Sequence, residues 1–286
     1  MHLIMGKDVA LVLSSGGARG LAHIGAIEEL EAQGYRITSI AGCSMGALIG
    51  GVYAAGKLDE FRNWMKTVDR KKMLELTDFS FSLNHIVKGT RIIEAIMEFV
   101  PDVKIEDLPI PYCAVATDWV TGHEVVFREG SLFEAIRASI SLPSFYEPVH
   151  RDGMILIDGG VTNPIPLNRV VRKEGDILVG VDVSGHDYKA QSEMHHELAE
   201  KRKRSTSLSQ QILNKLIPDN LEFNYYTMLS RVSSILIRQN SILMAQLMKP
   251  DILVDIQMAR YGGFDFDKSE KLIAIGRQKT LQALNK

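Results

Sequence analysis

The sequence predicts an α/β protein whose mainly parallel sheet is covered by helices on both faces. Three observations lead there. Short, continuously apolar runs at residues 9–13 and 37–41 each lead into glycines, which is how strands buried on both faces read. Helical apolar periodicity follows each run. Strand-like and helix-like segments then alternate along most of the chain, as they do where helices connect parallel strands.

Taken in order, residues 9–13 form the first strand. Leu21, Ile24, Ile27 and Leu30 share one face of the first helix, with Glu28, Glu29 and Glu31 largely off it. Residues 37–41 form the second strand and 44–55 the second helix. Residues 37–56 carry no charge and have about the length that crosses a bilayer. Thr38, Ser39, Ser44 and the glycines at 42, 46, 50, 51 and 56 favour a buried strand, turn and helix over a membrane span. Further strands are expected at 112–117, 124–127, 154–157, 177–181 and 252–254, and helices at 91–100, 132–138 and 269–284. No internal repeat is visible. The one break in composition is the polar stretch 184–209, with the basic run Lys201-Arg202-Lys203-Arg204. It is too short to separate two domains. The expectation is one domain over 1–286, with a core at about 9–182 and 250–284 and residues 184–248 inserted.

Composition narrows the function. The chain has 286 residues, 45% hydrophobic and 24% charged, enough to bury roughly three quarters of its unfolded surface without disulfides. A net charge of −2 excludes the strong basic excess of a nucleic-acid binder. Cys43 and Cys113 sit in apolar stretches with no zinc-like spacing, which points to a reducing, cytoplasmic setting. Lys7 and Asp8 interrupt the apolar N-terminal residues, so no signal peptide is expected. No histidine or carboxylate cluster has ligand spacing, so neither a metal nor another cofactor is expected.

Gly42-Cys43-Ser44-Met45-Gly46 fits G-x-S-x-G where an apolar strand meets a helix, the setting of a nucleophile elbow. Such a turn projects the hydroxyl at a helix N-terminus, whose partial positive charge favours a developing anion. The bland alternative is a glycine-rich turn with a capping serine. Ser15-Gly16-Gly17-Ala18-Arg19-Gly20 follows the first strand. It fails the dinucleotide fingerprint, because Ser15 holds the first glycine position, and it lacks the Gly-Lys-Ser/Thr of a P-loop. Two neighbouring parallel strands end on the same edge, so this loop can reach Ser44 and offer backbone N–H groups as an oxyanion hole. Arg19 opposes the helix dipole, and so either holds the loop or an anionic group, or is simply solvated.

A serine nucleophile needs a base. Of the eight histidines, His186 in Ser184-Gly185-His186-Asp187 suits a triad best; His195 and His196 sit in the charged stretch. The other candidate is Asp158 in Asp158-Gly159-Gly160, at a strand end, where burial would strengthen an otherwise weak base.

The three signals together, in this order and spacing, resemble the patatin-like phospholipases. Ala116-Thr117-Asp118 with Thr121-Gly122, Ala138-Ser139 with Leu142-Pro143, and Gly263-Phe264-Asp265-Phe266-Asp267 are similar to bacterial members, closer to the neuropathy-target-esterase branch than to plant patatin. The resemblance covers about 9–274. It implies a three-layer α/β/α fold and a Ser–Asp dyad of Ser44 and Asp158 that hydrolyses acyl esters of lipids through an acyl-enzyme. It also implies an oxyanion hole from the backbone of Gly16, Gly17 and Arg19. Ser14-Ser15 stands where the family usually has glycines, which narrows the pocket at most. An acyltransferase with the same nucleophile, or a regulatory protein on this fold, would share these motifs.

One segment speaks to partners. Met228, Leu229, Val232, Ile235, Leu236, Leu243 and Leu247 recur at helical spacing over 226–248, with Arg231 and Arg238 but no acidic residue. Such a helix suits an anionic membrane or a homodimer seam, or simply packs on the sheet.

Overall fold

The computed structural model describes residues 7–76, 78, 88–143, 145–185, 192–193, 196, 225–258 and 261–286. β1 (Lys7–Leu13) is apolar from Val9 onward, where both its faces are covered. Val9, Leu11 and Leu13 face one core, and Ala10 and Val12 face a second. A 3-10 turn (Gly17–Leu21) and α1 (Ala22–Ala32) lead to β2 (Tyr35–Cys43) and α2 (Met45–Ala54). The uncharged stretch is thus a strand and a buried helix. Then follow α3 (Leu58–Lys66), α4 (Arg70–Leu76), α5 (Thr90–Met97), β3 (Tyr112–Asp118), β4 (Glu124–Phe127) and α6 (Leu132–Ser139). β5 (Val149–Arg151), β6 (Met154–Asp158), β7 (Ile177–Gly185), α7 (Tyr225–Met248), β8 (Ile252–Gln257) and α8 (Ser269–Leu284) complete the described elements.

The strands form one sheet in the order β5-β6-β3-β2-β1-β7-β8, with β4 also paired to β3. β1, β2, β3, β7 and β8 run parallel, so their C-terminal ends share an edge. β4 and β6 run antiparallel to β3, and β5 runs antiparallel to β6. The two layers of helix are unequal among the described residues. α1, α2, α6 and α8 contribute to the larger core. The second face is covered by Ile165, Leu167 and Val170 of an irregular segment and by Met244, Ala245 and Met248 of α7. No helix among the described residues is long and apolar enough to cross a membrane.

Three local expectations change. The first helix begins at Ala22, because the glycines before it favour a tight turn. Glu29, placed largely off the apolar face, is buried; Gln33, one turn on, donates to its carboxylate at 2.8 Å. Two further helices, α3 and α4, add to the expected elements, and α3 buries only Phe61 and Met65.

Candidate active site

β2 carries Cys43 to the sheet's C-terminal edge, and the chain turns sharply into α2 at Ser44. Ser44 has φ +53° and ψ −122°, a region that side chains seldom occupy and that persists only where the surroundings hold it. The flanking glycines allow the turn. A Cβ at Gly42 would lie 2.4 Å from the Gly46 carbonyl oxygen, and one at Gly46 would lie 2.2 Å from that of Leu13. The elbow is therefore pressed against the end of β1, where the glycine loop begins.

Asp158 arrives from the opposite direction. Ala114 pairs with both β2 and β4, and Ala116 with both β4 and β6. A strand has only two edges, so β2 and β6 share the one that β4 leaves free. β2 runs along it to Cys43 opposite Val115, and β6 runs back along it to Asp158 opposite Ala116. The two strands end head to head, and their terminal residues meet. The Ser44 hydroxyl donates to Asp158 Oδ2 at 2.5 Å, and the Gly160 N–H donates to Oδ1 at 2.7 Å. Ser44 is 7% exposed and Asp158 3%. Burial pushes the Asp158 carboxyl up to about 6, although both hydrogen bonds pull the other way. The Cys43 thiol is pushed up by burial and by the Asp158 charge, so it stays protonated beside Ser44.

The glycine loop closes the third side. Gly17 has φ +56°, and a Cβ at Gly160 would lie 3.0 Å from Ser15 Oγ, so this loop abuts the turn after Asp158. Ser14 N–H donates to Val181 O, Ser15 N–H to Pro164 O and Ala18 N–H to Gly263 O. Among the described residues the N–H groups of Gly16 and Gly17 have no acceptor. The Arg19 N–H lies inside the 3-10 turn, where i→i+3 bonding engages it, so this third expected donor is occupied. The Arg19 side chain is not simply solvated. Its Nε donates to Gly16 O at 3.3 Å, and burial lowers its pKa against the opposing pull of Asp182. Ser14 is also explained: its hydroxyl accepts the Val183 N–H and donates to Ser15 O, so it points into the sheet instead of narrowing the site.

No described histidine hydrogen-bonds to Ser44. His23 is buried, with Nε2 2.8 Å from Ser14 O, and burial pushes it down to about 4, so it is neutral at pH 7. His123, His150 and His196 are exposed. His186 and His195 lie outside the described residues, as does the basic run 201–204. Among the described residues no three His, Cys, Asp or Glu side chains are grouped to hold a metal. Two contacts that the sequence did not signal involve the end of α6. The Ser139 hydroxyl accepts the Ser44 N–H at 2.8 Å, and Ser141 O accepts the Asp158 N–H at 2.9 Å.

Several known proteins are similar to this chain. The chain is 47% identical over 179 residues to an uncharacterized NTE family protein of Mycobacterium tuberculosis, covering 63% of this chain and 50% of that protein. It is 31% identical over 191 residues to the neuropathy target esterase sws of Drosophila melanogaster, and 32% over 194 residues to patatin-like phospholipase domain-containing protein 6 of Mus musculus. Those matches cover 64% and 65% of this chain but only 13% and 14% of the two animal proteins. The chain thus spans about half the length of its mycobacterial relative. The structure of VipD from Legionella pneumophila shares the fold, with a TM-score of 0.50 at 15% identity over 98% of this chain and 67% of that one. A model of the family described as patatin-like phospholipase matches residues 11–171, more than half of the sequence, and the chain belongs to that family.

Proposed function

We propose that this chain hydrolyses acyl esters of lipids, with Ser44 as nucleophile and Asp158 as its general base. The observation that carries the reading is the 2.5 Å hydrogen bond from a strained elbow serine to a buried carboxyl whose pKa is pushed up to about 6. Near that value a carboxylate is still mostly ionised at pH 7 and is a far better base than a solvated one.

The steps follow from the atoms present. Ser44 Oγ attacks the ester carbonyl carbon as its proton passes to Asp158 Oδ2. The carbonyl oxygen becomes an oxyanion, and the N–H groups of Gly16 and Gly17 are the donors best placed to hold it; one such donor is worth about 10²–10³ in rate. Collapse expels the alcohol, which leaves with the proton from Asp158. Water then attacks the acyl-enzyme, gives a proton to Asp158, and the carboxylic acid departs as Ser44 recovers its hydrogen.

A lipid surface is the natural place to find such an ester, and α7 suits contact with one. It touches the Gly159–Val161 turn beside the base. Leu236 is 57% exposed, Leu243 61% and Leu247 74%, and the helix has no acidic residue. We assign this stripe to an anionic bilayer surface.

The test is the pH dependence of kcat/KM on a soluble acyl ester. Only ionised Asp158 can take the proton, so activity rises as pH passes through about 6 and levels off above it. A limb centred near 7.5, or no limb between pH 5 and 8, would contradict the assignment.

A further inference from the structure

The Ser44 N–H does not bond where the β-ladder would send it. β2 donates to β3 from Ile40, whose N–H meets Pro111 O at 2.9 Å, and the register then runs Ile40↔Tyr112 to Cys43↔Val115. Parallel ladders repeat every second residue, so the rungs run through Gly42 to Ser44, and the acceptor for Ser44 would be Val115 O. The Ser139 hydroxyl occupies that rung. It accepts the Ser44 N–H at 2.8 Å and donates its own hydrogen to Val115 O at 2.6 Å. The last residue of α6 is thereby inserted between β2 and β3 at the point where β2 ends. The insertion holds Ser44 away from β3, next to the end of β6 that carries Asp158.

The same stretch also holds the base. Two residues on, Ser141 O accepts the Asp158 N–H. The stretch is itself fixed, because Arg137 Nη1 donates to Ser141 Oγ at 2.7 Å and Arg137 Nη2 to Glu147 O at 2.8 Å. Ser139 and Ser141 are both fully buried.

We propose that Ser139 is a positioning residue, a hydroxyl wedge that sets the angle at which Ser44 meets Asp158. The role rests on the reading of Ser44 as nucleophile. Without the hydroxyl, the Ser44 N–H is free to close directly on Val115 O. That closure satisfies both backbone groups, so the protein keeps its fold, but it rotates the Ser44 hydroxyl away from Asp158. Displacement of a reacting group by about 1 Å costs on the order of 100-fold in rate.

The experiment compares wild type, Ser139→Ala and Ser139→Cys by the rate and final stoichiometry of reaction with a fluorophosphonate, and by kcat and KM on a soluble ester. The expected result for Ser139→Ala is full final stoichiometry reached about 10- to 100-fold more slowly, with kcat reduced alike and KM nearly unchanged. Ser139→Cys, with its weaker hydrogen-bonding thiol, falls between Ala and wild type. A purely structural role would lower the final stoichiometry and leave the rate per reactive site unchanged, and that result overturns the proposal. So does a wild-type rate in Ser139→Ala or, if that variant does not fold, in Ser139→Cys. Failure of wild-type Ser44 to react at all removes the hydrolase reading itself, and the role of Ser139 with it.

Discussion

Replacing Asp158 with asparagine should abolish most activity and yet stabilise the protein at neutral pH. The carboxyl titrates ordinarily at 3.8 and is pushed up to about 6 in the folded chain. A group raised in this way binds its proton more tightly when folded. Its charged form therefore costs stability, the reverse of a salt-bridged aspartate. The cost is absent below about pH 3.8, grows as pH rises to about 6, and is constant above that. Its size is the separation of the two values, about 3 kcal/mol. Asparagine removes the buried charge and keeps both contacts. Its Oδ1 still accepts the Gly160 N–H, and its amide donates to Ser44 Oγ where the carboxylate accepted. Urea unfolding of wild type and Asp158→Asn between pH 4 and 8 checks the prediction. The variant's advantage should approach about 3 kcal/mol at pH 8 and shrink toward zero near pH 4. A variant less stable than wild type at pH 8, or a difference independent of pH, would refute the argument that desolvation raises this carboxyl.

Further outcomes follow from the same geometry. Ser44→Gly should be more stable than Ser44→Ala by about 1 kcal/mol, because glycine accepts φ +53° without strain; equal stabilities in thermal unfolding would contradict the strained elbow. His23→Gln should keep most turnover, since His23 is already neutral at pH 7 and its role is to bind Ser14 O; a collapse of kcat in a folded variant would argue for a histidine base. Activity on p-nitrophenyl esters should rise with acyl length, as each buried methylene adds about 0.8 kcal/mol. Leu236→Asp and Leu243→Asp should depress turnover of anionic vesicles far more than that of a short soluble ester. Equal losses on both substrates would count against the α7 surface, and a change of oligomeric state in those variants would make it a dimer seam.

How much of this could be read from sequence varied with the kind of signal. The strand, elbow and helix around Ser44 were legible because burial on both faces and close packing leave direct traces, as apolar runs and glycines. Asp158-Gly159-Gly160 was visible as a strand end, but the residues alone could not choose between Asp158 and His186. That the Asp158 carboxyl reaches the Ser44 hydroxyl depends on β6 running antiparallel to β3 and meeting β2 end to end, and strand direction leaves no mark in composition. Ser139 was noticed only as part of a family pattern. Its contribution is one hydroxyl at a helix end, 95 residues from the N–H it binds, and neither periodicity nor local spacing reports such a contact. For Arg19 the sequence allows a loop holder, a contact to an anionic group or a solvated charge, and its Nε contact with Gly16 O favours the loop. Glu29 misled because its partner Gln33 lies just beyond the helix, where the helical pattern ends.

The central claim is that Ser44 and Asp158 act as a dyad, and the most direct measurement identifies the residue that a fluorophosphonate modifies, by peptide mass spectrometry, in wild type and Asp158→Asn. The account predicts a single modified residue in wild type, Ser44, and modification slowed by orders of magnitude in the variant even though its fold is intact. Modification at another residue, or of Ser44 at an undiminished rate in Asp158→Asn, would contradict it.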